Sequence, residues 1–185
     1  LNKGKRVFGT TEMTFLGHIF SDKGVKPDSP RMKAITEMPT PTNKTELQRF
    51  LWMVTYLGKF IPDLSSKTTH LRQLLESTVE WHWSEHQEKT FETLKTEISS
   101  SPTLKNYDPQ QETMLSVDAS KYGLGAVLLQ KHETWAPRAY TSRSLTKTEQ
   151  NYAQIEKETL SIVYGKHFTV ESDHKPLQPI FTKPI

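Results

Sequence analysis

The sequence predicts an α+β chain, with a mostly helical first part (residues 1–105) followed by a strand-rich second part (residues 106–185). Three observations carry this expectation. Leu47, Phe50, Leu51, Val54 and Leu57 recur at helical spacing. Helix-start signals of the capping-box type, Asn43-x-x-Glu46 and Ser84-x-x-Gln87, precede such runs. Beyond the loop-like stretches Ser99–Pro102 and Asn106–Pro109 the apolar period falls to two, as in strands.

The elements follow in order. Met13–Leu16 and His18–Phe20 flank Gly17 and read as a small strand pair, with the turn SDKG at 21–24 and a loop over Lys26–Ser29. Ser29 before Pro30 reads as an N-cap and first turn, so a short helix is expected to about Glu37, ended by Pro39 and Pro41. The helix behind Asn43 is expected to reach Lys59. Another begins at Pro62, with Leu64, Leu71, Leu74 and Leu75 as its apolar positions. Trp81 and Trp83 bracket His82 in an extended link, and Ser84 opens a helix to Ser99 that presents Phe91, Leu94 and Ile98 on one face.

In the second part Thr113–Leu129 reads as strand, tight turn and strand. Gly123-Leu124-Gly125 is taken as part of a hairpin turn, because a third glycine and a following helix are missing from a nucleotide-binding loop. Arg138–Ser142 is a third strand. Thr146-x-x-Glu149 is a capping box expected to open a helix over Lys147–Tyr164, and His167–Asp173 is a last strand.

Composition narrows the function classes. The 185 residues include no cysteine, which removes disulfides and thiolate metal sites and leads to the expectation of an intracellular setting, cytoplasmic or nuclear. No apolar run approaches the roughly 18 residues of a membrane span, and mean hydropathy is −0.64, so no membrane partner is expected. The formal net charge is +3 and the isoelectric point near 9.0, a balance that permits nucleic-acid binding. The sequence opens on Leu1 without an initiator Met, and we expect it to be a piece of a longer chain.

Three stretches carry candidate chemistry. Asp118 ends the first strand, Asp173 ends the last, and Glu156 and Glu158 lie on the helix between them. Each is an ordinary residue by itself: a turn aspartate, or a solvated helix glutamate. Together, oxygen ligands from two strand ends and a helix suit hard divalent cations such as Mg²⁺. The apolar stripe does not separate the glutamates, because Ile155 and Ile162 flank Glu158 while Tyr152 and Leu160 flank Glu156. His82-Trp83-Ser84-Glu85-His86 has the spacing of an inverted zinc-peptidase motif. Ser84 is the better N-cap, which leaves His82 before the helix, so zinc is not expected.

The chain resembles the Pol polyprotein of gypsy-type LTR retrotransposons over nearly its whole length. FLGHIFSDKGVKPD (15–28) is similar to the primer grip, YLGKFIPDLS (56–65) to the thumb, and WHWSEHQEKTFETLK (81–95) to the connection segment of the family's reverse transcriptase. SVDASKYGLGAVLLQ, YTSRSLTKTEQNYAQIEKETLSIV and FTVESDHKPL resemble successive parts of its ribonuclease H domain. The resemblance implies a mixed sheet with a packed helix. It also implies hydrolysis of the RNA strand of an RNA–DNA hybrid with two Mg²⁺ ions, Mn²⁺ being the alternative. Residue by residue it assigns metal binding and catalysis to Asp118, Glu158 and Asp173, with Glu156 the second choice for the helix acid. Glu158 in Glu-Thr-Leu-Ser-Ile fits the family's Glu-Leu-x-Ala-Ile register. Implied partners are an RNA–DNA hybrid or template–primer duplex and the remainder of the Pol polyprotein. Lys121, Arg138 and Arg143 are expected from position to contact phosphates.

Three departures limit the expectation. The polymerase's paired aspartates lie upstream in the family and are absent here. The ribonuclease H part is expected to be C-terminally incomplete. Gly165-Lys166 leads straight into His167-Phe168, a short reversal that predicts either an unwound last helical turn or a lost strand register. Two readings therefore stand: an enzyme fragment that binds and cuts hybrid, or an inactive retroelement-derived module that at most binds nucleic acid or protein.

Overall fold

The computed structural model describes residues 9–166. It begins with an antiparallel meander: β1 (Glu12–Phe15), β2 (His18–Ser21) and β3 (Gly24–Pro27). Leu16 and Gly17, with φ of 46° and 68°, make the two-residue turn between β1 and β2. Positive φ at both turn residues matches the right-handed twist of a tight hairpin. The expected loop at Lys26 is in fact the third strand. Its outer partner is distant: the Val25 amide donates to the Leu104 carbonyl at 2.7 Å and the Leu104 amide donates back at 2.9 Å. Gly24 has φ 131°, and a Cβ there would overlap the Leu104 carbonyl oxygen, so this close approach needs glycine.

α1 (Ser29–Thr36) is capped by Asp28, not by Ser29. The Asp28 carboxylate accepts from the Arg31 amide at 2.9 Å, and Pro30 occupies the first turn. α2 (Lys44–Tyr56) starts at Asn43, whose side-chain oxygen accepts from the Glu46 amide at 2.9 Å. The Glu46 carboxylate reaches past the cap to the Thr42 amide at 2.8 Å. α2 ends three residues before the expected Lys59, tightening into a 3-10 turn over Gly58–Phe60. The helix expected from Pro62 is two short ones, α3 (Leu64–Lys67) and α4 (Thr69–Gln73). At the break the Thr68 hydroxyl donates to the Leu64 carbonyl at 2.7 Å, a side-chain bond that competes with helix continuation. α5 (Glu85–Ser99) opens on the complete Ser84–Gln87 capping box.

The helical part closes over one core. Phe50 of α2 and Phe91 of α5 meet at 4.5 Å between ring centroids, surrounded by Leu47, Val54, Leu71, Leu94 and Ile98, all fully buried. Each large apolar side chain buried here contributes on the order of 2 kcal/mol. The Trp81 and Trp83 rings stack at 5.7 Å against this core, and the Trp83 indole N–H donates to Glu88.

Between α5 and the next strand the chain is tied on both sides. Besides the Leu104–Val25 bonds, Asn106 Nδ2 donates to the Ser21 carbonyl at 2.8 Å, and the Lys105 amide donates to the Pro137 carbonyl at 3.3 Å. Then β4 (Thr113–Ala119), β5 (Gly123–Lys131) and β6 (Trp135–Ser144) form a second antiparallel sheet, with β5 in the middle. A bulge at Leu128/Leu129 on β5 leaves Arg138 of β6 without a ladder partner. The turn between β4 and β5 is Ser120–Tyr122; Gly123 and Gly125, expected in the turn, are strand residues.

The Thr146 amide donates to the Glu149 carboxylate at 2.8 Å, as the capping box predicts. It caps only a 3-10 turn, Glu149–Asn151. Tyr152 is extended, and the helix α6 runs over Gln154–Lys166, seven residues later than its expected start. Its buried face is Lys157, Leu160, Ser161 and Tyr164, and Leu160 and Tyr164 pack on Ala119, Leu124 and Leu145. The helix is intact to Lys166. The expected last strand, His167–Asp173, lies outside the described residues, as does its parallel or antiparallel relation to the sheet. The described architecture is α+β with two small antiparallel sheets.

Candidate active site at the junction of β4 and α6

Asp118 is the penultimate residue of β4 and is exposed. It is directly opposite Gly125 of β5, which is opposite Ser142 of β6. Opposed residues of an antiparallel sheet share a face. Asp118 therefore projects from the face opposite to Ala119 and α6, at the end of the sheet.

α6 is joined to this strand end by Gln154. Its Nε2 donates to the Ala119 carbonyl at 2.9 Å and lies 3.4 Å from Glu158 Oε1. Glu158 sits one turn along from Gln154, exposed, on the side of α6 turned from the core. Glu156 is occupied otherwise. Its Oε2 accepts from the Ala153 amide at 2.7 Å, closing the first turn of the helix. Glu156 is thus bonded to the backbone of its own helix, whereas Glu158 takes its contact from the Gln154 side chain, on a helix packed against the sheet face opposite to Asp118. Ile155 and Ile162, which flank Glu158, are exposed at 72% and 47%, whereas Leu160, which flanks Glu156, packs on the sheet. The true face turns on Lys157 and Ser161, which an apolar stripe does not reveal.

Asp173 lies outside the described residues. Among the described residues no group of three or more His, Cys, Asp or Glu side chains is close enough to hold a metal ion. Carboxylate oxygens such as those of Asp118 and Glu158 suit hard cations rather than zinc.

The three basic residues expected on phosphates are placed differently. Lys121, in the turn after β4, is exposed, its ammonium 5.3 Å from the Tyr122 ring centroid. Arg143 is held by Glu149 in a two-pronged ion pair. Arg138 is 6% exposed, beside His132, and its Nε and Nη1 find no hydrogen-bond partner among the described residues. Burial pushes its guanidinium below the ordinary value, while nearby Asp108 opposes that shift. Asp108 is lowered chiefly by the bond its carboxylate accepts from the Gln110 amide.

The sequence marks Glu149 as a cap and does not mark Gln154. The cap residue is also Arg143's partner. The zinc-type motif dissolves in the structure: Ser84 caps α5, His82 stands before it, and the His86 ring instead meets His70 at 4.5 Å.

Known proteins resemble this chain in sequence and in fold. Residues 83–171 match the family model of an RNase H-like domain found in reverse transcriptase. A retrovirus-related Pol polyprotein from transposon 412 of Drosophila melanogaster is 36% identical, covering 98% of this chain and 16% of that polyprotein. The transposon Tf2-3 polyprotein of Schizosaccharomyces pombe is 34% identical, covering 96% of this chain and 14% of its own length. The chain thus spans a small fraction of the relatives it matches. Two solved structures share the fold. A foamy viral protease-reverse transcriptase in complex with RNA/DNA hybrid aligns over 83% of this chain and 21% of its own, with TM-score 0.72 and 24% identity. The same enzyme in complex with dsDNA aligns over 84% and 33%, with TM-score 0.72 and 23% identity. By sequence, the chain is similar over nearly its whole length to a segment of retrotransposon Pol polyproteins of the gypsy/LTR type, and residues 83–171 match the RNase H-like domain found in reverse transcriptase.

Proposed function

We propose that this chain is the segment of a reverse transcriptase and ribonuclease H that grips an RNA–DNA hybrid and carries the acids for hydrolysis of its RNA strand. One observation carries the reading: Gln154, in the first turn of α6, donates to the carbonyl of Ala119, the residue after Asp118, and approaches Glu158 one turn further along. Asp118 and Glu158, joined by Asp173, would hold the cations, Mg²⁺ with Mn²⁺ as the alternative. When bound, such ions supply positive charge for the scissile phosphate and lower the pKa of water. The chain's own part is to orient these carboxylates, with Glu156 keeping α6 in register and Lys121 available to a phosphate oxygen.

The family relatives and the hybrid bound by a foamy viral neighbour support the substrate class. A labelled RNA–DNA hybrid incubated with the chain and Mg²⁺ tests it. Cutting of the RNA strand that disappears in Asp118→Asn is the expected result. No cutting, or cutting that survives Asp118→Asn, removes the catalytic claim. Salt-sensitive hybrid binding without cutting would leave a binding module in its place.

A further inference from the structure

The helical part and the Asp118 strand end meet at α3. Asp118, Gly125 and Ser142 form one row across the second sheet, and α3 lies on that row. The Ser65 amide donates to Ser142 Oγ at 2.9 Å. A Cβ on Gly125 would overlap the carboxylate of Asp63, the residue that enters α3 with φ 51°. A Cβ on Gly123 would overlap the Ser65 hydroxyl. One residue on, Ser66 Oγ and Ser120 Oγ share a hydrogen bond of 2.9 Å. Ser120 is the hub of the turn after β4: its Oγ accepts from the Tyr122 and Gly123 amides at 3.2 and 3.0 Å. α3 therefore bears on the strand residue facing Asp118 and on the turn two residues beyond it.

The other side of α3 is rooted in the helical part. Leu64 is buried in the first core, and Lys67 Nζ pairs with Glu97 of α5 at 2.8 Å. The side chains of Asp63 and Ser65 occupy the space that a Cβ at Gly125 or Gly123 would take, a close approach that glycine permits.

We propose that Ser66 and Ser142 are positioning residues, through which α3 sets the placement of the Asp118 carboxylate and couples it to the helical part. The inference rests on the reading of Asp118 as a cation-holding acid. Its physical basis is that a displacement of about 1 Å at a reacting centre can cost on the order of a hundredfold in rate. A short helix bonded to both flanks of Asp118 controls displacements on that scale.

The test uses the full chain and the double variant Ser66→Ala, Ser142→Ala, with two separate readouts. The first is hydrogen exchange of the Ser120 amide, which donates to the Gly123 carbonyl and reports on the strand end without any catalysis. The second is the Mg²⁺ concentration that gives half-maximal cutting of hybrid. Ser120 exchange is expected to rise about fivefold to tenfold, the scale of one lost hydrogen bond. Half-saturating Mg²⁺ is expected to rise about tenfold, as for loss of a partner that orients a metal ligand. Hybrid affinity stays unchanged, and Ser142→Thr, which keeps the hydroxyl, behaves as the parent chain. Unchanged exchange overturns the proposal, as does faster exchange with an unchanged Mg²⁺ dependence, or acceleration spread over all amides. If the parent chain does not cut but Ser120 exchange responds, the nuclease reading has failed and the coupling stands. If the parent cuts through Asp118 and neither readout moves, the coupling has failed and the nuclease reading stands.

Discussion

Arg143 and Glu149 hold each other through two parallel hydrogen bonds, Nη1 to Oε2 at 2.9 Å and Nη2 to Oε1 at 3.0 Å. The pair closes the connection from β6 to α6. Glu149 also accepts from the Thr146 amide at 2.8 Å. Arg143 first, then that amide, pulls the Glu149 carboxyl down to about 2 from the ordinary 4.5. The folded chain thus takes up this proton at lower pH than the unfolded chain does. Its stabilisation is complete above about pH 4.5 and is lost as pH falls towards 2. Thermal melts across that window should show Glu149→Gln with a flatter acid limb than the parent. Parallel limbs would mean that other carboxylates govern the acid transition.

Gly24→Ala should cost on the order of 2–3 kcal/mol in urea unfolding, because a left-handed φ and an overlap with the Leu104 carbonyl coincide. Gly9 has a similar sign of φ, but nothing lies within 4 Å of its Cβ position. Gly9→Ala should cost only about 1 kcal/mol. Equal losses at the two sites would show that the Leu104 contact is unimportant.

The two helix glutamates should separate cleanly. Glu156→Ala removes the acceptor of the Ala153 amide and should lower stability by about 0.5–1 kcal/mol while hybrid cutting persists. Glu158→Gln should leave stability alone and reduce cutting by at least about a hundredfold, the upper end of what losing even an outer-shell partner of a metal costs. The reverse pattern, measured by melts and by cleavage of labelled hybrid, would assign the metal to Glu156.

Lys121 and Arg138 differ in the same way. Lys121→Ala should reduce the slope of log affinity against log salt by about one, the signature of one lost phosphate contact. Arg138→Met should leave that slope alone, since the guanidinium is buried. Replacing a poorly satisfied buried charge by an apolar side chain should leave stability equal or raise it by about 1 kcal/mol. A marked loss of stability would show that the contact with His132 matters more than desolvation does.

The local part of the fold is legible in the sequence. Ser84 and Gln87 satisfy each other within one turn, so the start of α5 is written in four adjacent residues. The third strand of the first sheet was invisible because its outer partner, Leu104, is far along the chain. The start of α6 was misplaced for a related reason. The Thr146–Glu149 signal is satisfied as expected, but Arg143 shares the glutamate and Tyr152 turns the chain outward before the helix begins. In the candidate site, Asp118 stood out by ending an alternating strand. The preference for Glu158 over Glu156 rests on the sequence register, while the Ala153–Glu156 bond and the approach of Asp63 and Ser65 to the glycines at 125 and 123 are visible only in the folded chain.

The stretch from Leu104 to Asn106 is stitched to Val25 and Ser21 on one side and to Pro137 on the other. It behaves as a shared seam, so severing the backbone there does not release two independent pieces. A protease nick beside it should yield a gapped complex that still migrates as one particle, and either half made alone should leave a raw edge where the other was sewn on.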